Sequence, residues 1–352
     1  ITDDSALGGS TIERSLRFNG ADATAHLTRT PSTSGNRKVW TFSAWIKKSH
    51  TDDGPNYIYA ANNGNTSYVA LYFRYNKLYT YFHPTNNYGE VSSRFFRDVG
   101  SWFHLVHQVD ATNTTQSIWI NGEVLSLNSG RNPGNSDYGW NQSGVTHRVG
   151  NASWRNDNVD GYLAEVYHID GQLISPSSFG YTESQTGIWR PKRYEGTYGT
   201  NGFHLEFKDN SSTSALGKDT SGNGNDFTTN NFSVATGSAA NIYNNDSVID
   251  TPSDRYATLN ALHGYSYNTT FANGNLFANI PASNTYGRAF GNIPIKSGKW
   301  YWEVYYNQAG GNGNYLYVGL QSPDGQTFYR AVRGSDGEQY PNTGATAVRF
   351  AT

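Results

Sequence analysis

The chain of 352 residues contains no cysteine and no methionine, and only 15% of it is charged. Without cysteine there can be no disulfides, thiolate metal sites or cysteine nucleophiles, and the usual clue to redox compartment is missing. Lys and Arg number 26 against 28 Asp and Glu, giving a formal net charge of -2 with no basic run. Proteins that neutralise phosphate backbones carry a basic face, so no nucleic-acid partner is expected. No apolar stretch approaches the roughly 20 residues that span a bilayer, so no membrane insertion is expected either. The opening ITDDSALGGS is polar and does not read as a secretory signal. Methionine is missing even at the first position. The chain is therefore expected to be processed, or to be the visible part of something longer.

What is present is aromatic and polar without charge. Aromatics make up 15%, with 26 Tyr and 9 Trp, beside 38 Gly. Aromatic and β-branched residues suit pleated surfaces, while Gly and Asn supply turns, so an all-β chain is expected. The length is enough for two domains. Trp40, Phe42, Ala44 and Ile46 alternate with Thr41, Ser43 and Trp45, the period of a strand with one face in a core. Tyr68 to Phe82 reads as two strands broken near Tyr75-Asn76-Lys77. Trp102 to Val109 and Ser117 to Ile120 read as two more, the second ending in the turn dipeptide Asn121-Gly122. No segment reads as a helix of ten residues.

Four fragments in order carry a resemblance. They are Phe42-Ser43-Ala44-Trp45-Ile46, Trp102-Phe103-His104-Leu105-Val106, Ile118-Trp119-Ile120-Asn121-Gly122-Glu123 and Asp160-Gly161-Tyr162-Leu163-Ala164-Glu165-Val166. Together they resemble the concanavalin A-like, laminin G-like jelly roll. Further on, Ser297-Gly298-Lys299-Trp300-Tyr301-Trp302-Glu303-Val304 followed by Tyr317-Val318-Gly319-Leu320 is similar to the core of the SPRY β-sandwich, of which the later strands are missing. The tandem order, with Ser15-Leu16-Arg17-Phe18-Asn19 at the start and Trp189-Arg190-Pro191-Lys192-Arg193-Tyr194 between, resembles a group of tailed-phage virion proteins common among marine phages.

The fold expected is thus all-β: a jelly roll over residues 12–207 after an N-terminal arm of 1–11, a polar linker over 208–256, and an incomplete SPRY-like sandwich over 257–352. The resemblance implies a virion structural or appendage protein on the exposed particle surface. It would decorate a capsid or form a fibre, contact other virion proteins as a homo-oligomer, and offer surfaces to host glycans. A secreted carbohydrate-active enzyme, or a free carbohydrate-binding protein on the same fold, is the competing reading.

Glycoside hydrolases need two carboxylates across a cleft, about 5–5.5 Å apart when retaining. The acid spacing E-x-D-x-x-E that one family on this fold uses does not occur, so no catalytic residues are assigned. His104 and His107 have opposite strand parity and cannot share a metal, and no H-E-x-x-H is present. No cofactor is required; calcium is the one candidate, with Asp110, Asp157, Asp160 and Asp170 on or beside loops as oxygen donors. The same residues can also simply cap turns. Sugar rings stack on exposed aromatics while amides bond hydroxyls. The loops bearing Tyr138 and Trp140, and Trp154 and Arg155, combine these types and are the expected glycan-binding residues. Their alternative is packing beneath long loops.

Overall fold

In the computed structural model the described residues are 9–19, 25–51, 54–64, 67–83, 87–154, 157–235, 245–262, 269–279, 289–295, 297–305, 317–321, 328–333 and 339–340. From the amino end run β1 (Ser15–Phe18), β2 (His26–Arg29), β3 (Val39–Lys48), β4 (Asn56–Asn62), β5 (Tyr68–Arg74), β6 (Lys77–His83) and β7 (Asn87–Glu90). They are followed by β8 (Phe103–Asp110), β9 (Thr115–Ile120), β10 (Glu123–Val124), β11 (Thr146–Val149) and β12 (Gly161–Asp170). Short strands complete the series: β13 (Gly180–Thr182), β14 (Trp189–Pro191), β15 (Phe203–Leu205), β16 (Thr228–Asn230) and β17 (Ser247–Val248). Only single turns of 3-10 helix interrupt this pattern among the described residues, at Pro176–Ser178 and Ser214–Gly217.

The strands form two sheets. One is eight-stranded, in the order β10-β9-β8-β3-β12-β1-β17, with β15 also paired to β12. The other is seven-stranded, in the order β16-β2-β11-β4-β5-β6-β7. All the strand ladders within them are antiparallel. The period-two reading of β3 holds: Trp40, Phe42, Ala44 and Ile46 enter the main core, and Trp45 joins a separate cluster on the other face. The β5–β6 hairpin turns at Tyr75 and Asn76, both with positive φ, as a two-residue primed turn requires.

Near the middle of β12 a bulge shifts the register between Ala164 and Tyr167, with Glu165 at φ 48°. The Glu165 carboxylate is fixed there by the Tyr167 hydroxyl and by His204 Nε2 at 2.8 Å. Beyond the bulge, the edge that β1 holds along Gly161–Leu163 passes to β15 along Val166–His168.

The described residues of the stretch 208–256, namely 208–235 and 245–256, do not form a free linker. Its β16 extends the seven-stranded sheet beside β2, and its β17 extends the eight-stranded sheet beside β1. Leu216, Phe227 and Phe232 enter the main core. Two carboxylates anchor it to the eight-stranded sheet: Asp246 meets Arg17 at 2.8 Å, and Asp250 meets Lys47 at 2.7 Å. Both cations are nearly inaccessible, so each needs an acid from elsewhere in the chain, and this polar segment supplies it. Of the expected arm, residues 1–8 lie outside the described residues, while Gly9 bridges Lys192 beside β14.

The chain divides into two units, one taking in residues 1–281 and 285–293 and the other residues 282–284 and 294–352. A hairpin of β18 (Thr270–Ala272) and β19 (Phe277–Asn279) therefore sides with the jelly roll. It is fixed to the sandwich by Tyr162, whose hydroxyl donates to the Gly274 carbonyl at 2.6 Å. The second unit contains an antiparallel sheet of β20 (Tyr317–Gln321), β21 (Phe328–Arg333) and β22 (Gln339–Tyr340). The segment Ser297–Val304, which alternates like a strand, joins no ladder among the described residues. Trp300, Tyr301 and Val304 are exposed there.

Candidate functional site

The two sheets differ in what covers their outer faces. On the eight-stranded sheet, Trp45, Tyr162 and Ala164 pack with Ile12 and Trp102. Val106, Tyr167 and Ile169 pack with Phe179 and Tyr194 from the segment that follows β12. His104 belongs to this covered layer. It bonds the Ser43 hydroxyl at 2.8 Å through Nε2 and accepts from Trp189 Nε1 at 3.1 Å through Nδ1. Burial pushes its pKa down to about 3, so it is a neutral packed residue. His107, of opposite parity, sits in the main core between the Tyr59 hydroxyl and Gln116, each at 2.8 Å.

On the seven-stranded sheet, alternation sends Val69, Leu71 and Phe73 of β5 and Leu78 and Phe82 of β6 inward. Tyr68, Ala70 and Tyr72, with Tyr79 and Tyr81, therefore point outward. Register then aligns them across strands. Tyr57 of β4 opposes Tyr72, which opposes Tyr79 on β6; one row along, Ala60 opposes Ala70, which opposes Tyr81. The rings touch: Tyr57 and Tyr72 have centroids 4.8 Å apart, Tyr72 and Tyr79 stack at 5.4 Å, and Tyr68 and Tyr81 stack at 5.8 Å.

Trp154 completes this layer from the loop between β11 and β12. Its indole stands edge-on to Tyr57 at 5.6 Å and to Tyr68 at 5.2 Å. The three alanines of the cluster, Ala60, Ala70 and Ala152, are fully buried, and their small size leaves room for the indole above them. Tyr68, Tyr79, Tyr81 and Trp154 remain partly accessible. Burial pushes the Tyr72 phenol up; the Tyr57 phenol adds to this and Arg74 opposes it. Tyr72 is thus a neutral O–H group at ordinary pH. The result is a wall of aromatic edges and faces with hydroxyls at its margins, a surface that presents apolar stacking area together with hydrogen-bond donors.

Of the four aromatic and basic residues expected to bind glycan, the structure keeps Trp154 on this face. Arg155 lies outside the described residues. Tyr138 and Trp140 are corrected: both have 0% exposure and belong to the main core. Trp140 stacks on His147 at 4.5 Å and meets Tyr59 at 4.8 Å, with its Nε1 directed at the His168 ring. A tryptophan in an Asn- and Gly-rich loop reads as exposed, but this loop folds back over the end of the sandwich and its indole fills the core. Tyr57, Tyr68, Tyr72, Tyr79 and Tyr81 were missed, since each alone is an ordinary strand tyrosine.

The four aspartates considered for calcium do not converge on one place. Asp110 caps its own turn, accepting from Asn113 Nδ2 at 2.7 Å and from the Asn113 amide at 3.1 Å. Asp160 accepts from the Ser49 hydroxyl at 2.8 Å. Asp157 is half-buried in the Trp154 loop. Asp170 is buried and takes N–H donors from Asn36 at 2.8 Å, from the Asn141 side chain at 3.0 Å and from Asn201 at 2.9 Å. Burial raises its carboxyl, opposed by the Asn201 and Asn36 amides and by Arg29. Gly35 abuts it so closely that a Cβ there would lie 1.8 Å from Asp170 Oδ2. Among the described residues no group of three or more His, Asp or Glu side chains could hold a metal ion.

Residues 19–177 match the laminin G-like family model described as the concanavalin A-like lectin/glucanases superfamily. A search of curated proteins gives no match. Among solved structures, the chain is similar to the native heptameric SAP-like pentraxin of Limulus polyphemus, at 17% identity and a TM-score of 0.38, over 51% of this chain and 86% of that one. It is similar to domains LG4-5 of the mouse laminin alpha1 chain, at 13% identity and a TM-score of 0.35, over 54% of this chain and 47% of that one. It is also similar to domain 4 of AbnA, a GH43 extracellular arabinanase from Geobacillus stearothermophilus, in complex with arabinotriose. There the identity is 15% and the TM-score 0.35, over 47% of this chain and 78% of that domain. The chain thus spans less than half the length of the laminin pair. The two-sheet sandwich is a concanavalin A-like, laminin G-like fold.

Proposed function

We propose that the chain is a glycan-adhesion module of a tailed-phage virion appendage, and that the outer face of the seven-stranded sheet is its sugar-binding surface. The observation that carries the adhesion reading is the asymmetry of the sandwich. One outer face is roofed by the protein's own segments, whereas the other presents Tyr68, Tyr79, Tyr81 and Trp154 partly accessible on a platform of further rings. Sugar rings have apolar faces that stack on such aromatics, and their hydroxyls suit the phenol groups at the margin. The lectin/glucanases description of the matched family supports the same reading.

The virion setting rests on the resemblance of the tandem sequence motifs. In that setting the protein is a non-enzymatic surface component that assembles with other virion proteins and with copies of itself.

Adhesion is tested by presenting the protein to glycan arrays and host cells beside the double variant Tyr79→Ala/Tyr81→Ala. Loss of binding with only a modest fall in melting temperature is expected. Undiminished binding by the variant would remove the platform from the site. Release of reducing sugar from any bound polymer would replace adhesion by catalysis. Labelling assembled particles with an antibody to the chain tests the setting, and failure to label the particle surface would overturn it.

A further inference from the structure

One end of the tyrosine platform is basic although the chain as a whole is not. Arg74 and Lys77 are the terminal pair of the β5–β6 hairpin, one row beyond the pair Tyr72 and Tyr79 and on the same outer face. The segment between β7 and β8 docks on this hairpin end, with the Phe96 amide donating to the Asn76 carbonyl at 2.7 Å. It brings Arg94 and Arg97, both exposed, together with Phe95 at 46% exposure. The Arg97 guanidinium lies 3.9 Å from the Phe95 ring centroid and Lys77 Nζ lies 4.7 Å from it, so a single exposed ring is flanked by two cations. Arg74 lies over Tyr75, itself 50% exposed, at 4.8 Å.

Two carboxylates oppose these four cations. Glu90 pairs with Lys77 at 2.9 Å, and Asp98 caps the backbone amides of Gly100 and Ser101. Among the described residues Arg74, Arg94 and Arg97 form no ion pair with either acid, and they leave a cationic rim at one end of an aromatic floor.

We infer that this rim receives an acidic substituent of the bound glycan, a carboxylate or sulfate group, while the adjoining sugar rings lie on the tyrosines. The inference rests on the glycan reading of the platform. Guanidinium groups bond such oxyanions through paired N–H donors; Arg97 is held over Phe95 and Arg74 over Tyr75 before binding, while Arg94 lies over Phe96 at 5.4 Å. The four cations concentrate charge at one end of the platform, although Arg148, opposite Ala60 on β11, adds a half-buried cation to the same face.

Matched polymers separate charge from backbone. Binding is measured by calorimetry at low and high salt with polygalacturonate against its methyl ester, and with dextran sulfate against dextran. These two pairs distinguish the carboxylate from the sulfate source. In at least one pair the acidic polymer is expected to bind at least tenfold tighter at low salt. Arg94→Gln/Arg97→Gln, two exposed positions, should cut that preference below threefold without changing the melting temperature. Tyr79→Ala/Trp154→Ala should weaken the acidic polymer as well.

If acidic and neutral members bind alike through the tyrosines, the rim inference fails and the adhesion reading stands. If no polymer binds, both fail. If the acidic polymer binds independently of Tyr79 and Trp154, or single-stranded DNA displaces it from the same arginines at equal concentration, the inference is overturned in favour of simple polyanion capture.

Discussion

The indole of Trp154 meets the ring of Tyr68 edge-on, with centroids 5.2 Å apart and planes at 84°. That contact ties the loop after β11 to the sheet face, and it is the point where a loop tryptophan becomes part of an ordered surface. Trp154→Ala would open a hollow over Ala60 and Ala70 and remove one wall of the platform. A loss of about tenfold or more in glycan affinity is expected, equivalent to about 1.4 kcal/mol. Because the indole is only partly buried, the stability cost should be about 1–2 kcal/mol. Trp140→Ala should behave oppositely. Its side chain is fully buried against His147 and Tyr59, so a stability loss of about 3–5 kcal/mol is expected. Urea unfolding and glycan titration of the two variants separate the roles; equal losses of stability would contradict the assignment.

The anchoring of the segment after β16 can be tested through Lys47 and Asp250. Their charged atoms are 2.7 Å apart with side chains 2% and 7% exposed, and Asp250 also accepts from the Tyr256 amide at 3.0 Å. Asp250→Ala strands an ammonium beneath Trp102 and Tyr162 and should cost about 3–5 kcal/mol. Replacing both partners by apolar residues, Lys47→Met with Asp250→Leu, removes the stranded charge and should cost less than Asp250→Ala alone. A double variant less stable than the single one would mean that the segment is held by something other than this ion pair. Urea midpoints of the three proteins decide it.

How much of this could be read from sequence depended on the range of the signal. The alternation of Trp40 to Ile46 is local and strong, and it placed β3 with its inward face correct. The opposite parity of His104 and His107 likewise survived, because parity depends only on spacing within one strand. The strands Thr228–Asn230 and Ser247–Val248 were lost since three and two residues carry no period. What could have found them is the pair of basic residues at Arg17 and Lys47, both in strands with apolar neighbours and both in need of an acid. The tyrosine platform was invisible for another reason. Tyr57, Tyr72 and Tyr79 come from three strands, and only the register of two ladders places them in one row. The basic rim is hidden in the same way, since Arg74 and Lys77 meet Arg94 and Arg97 only through the docking of a loop.

Four buried histidines give the sandwich an expected acid sensitivity. Burial pushes His104 down to about 3 and His107 to about 4, where the Gln116 bond acts the other way. His147 is pushed to about 3 by burial and by Arg29, and His168 is pushed well down by burial, His147 and Arg29. In the unfolded chain each would titrate near the ordinary value of about 6.5. Their folded values are depressed, so below about 6.5 the unfolded state holds more protons. The stability they permit is complete above that pH and is lost as pH falls toward 3–4. Each adds a slope approaching about 1.4 kcal/mol per pH unit, or about 5–6 for the four together. Asp170 and Asp246 are shifted upward by burial and oppose the trend, but starting from the ordinary carboxyl value of 3.8 their effect belongs to more acid conditions. Urea unfolding between pH 5 and 6.5 should therefore show stability falling steeply with acidification. His107→Gln, which keeps a side-chain amide for the Tyr59 hydroxyl, should reduce that slope by about a quarter. A flat profile over this interval, or an unchanged slope in the variant, would mean that these imidazoles already carry protons in the folded protein.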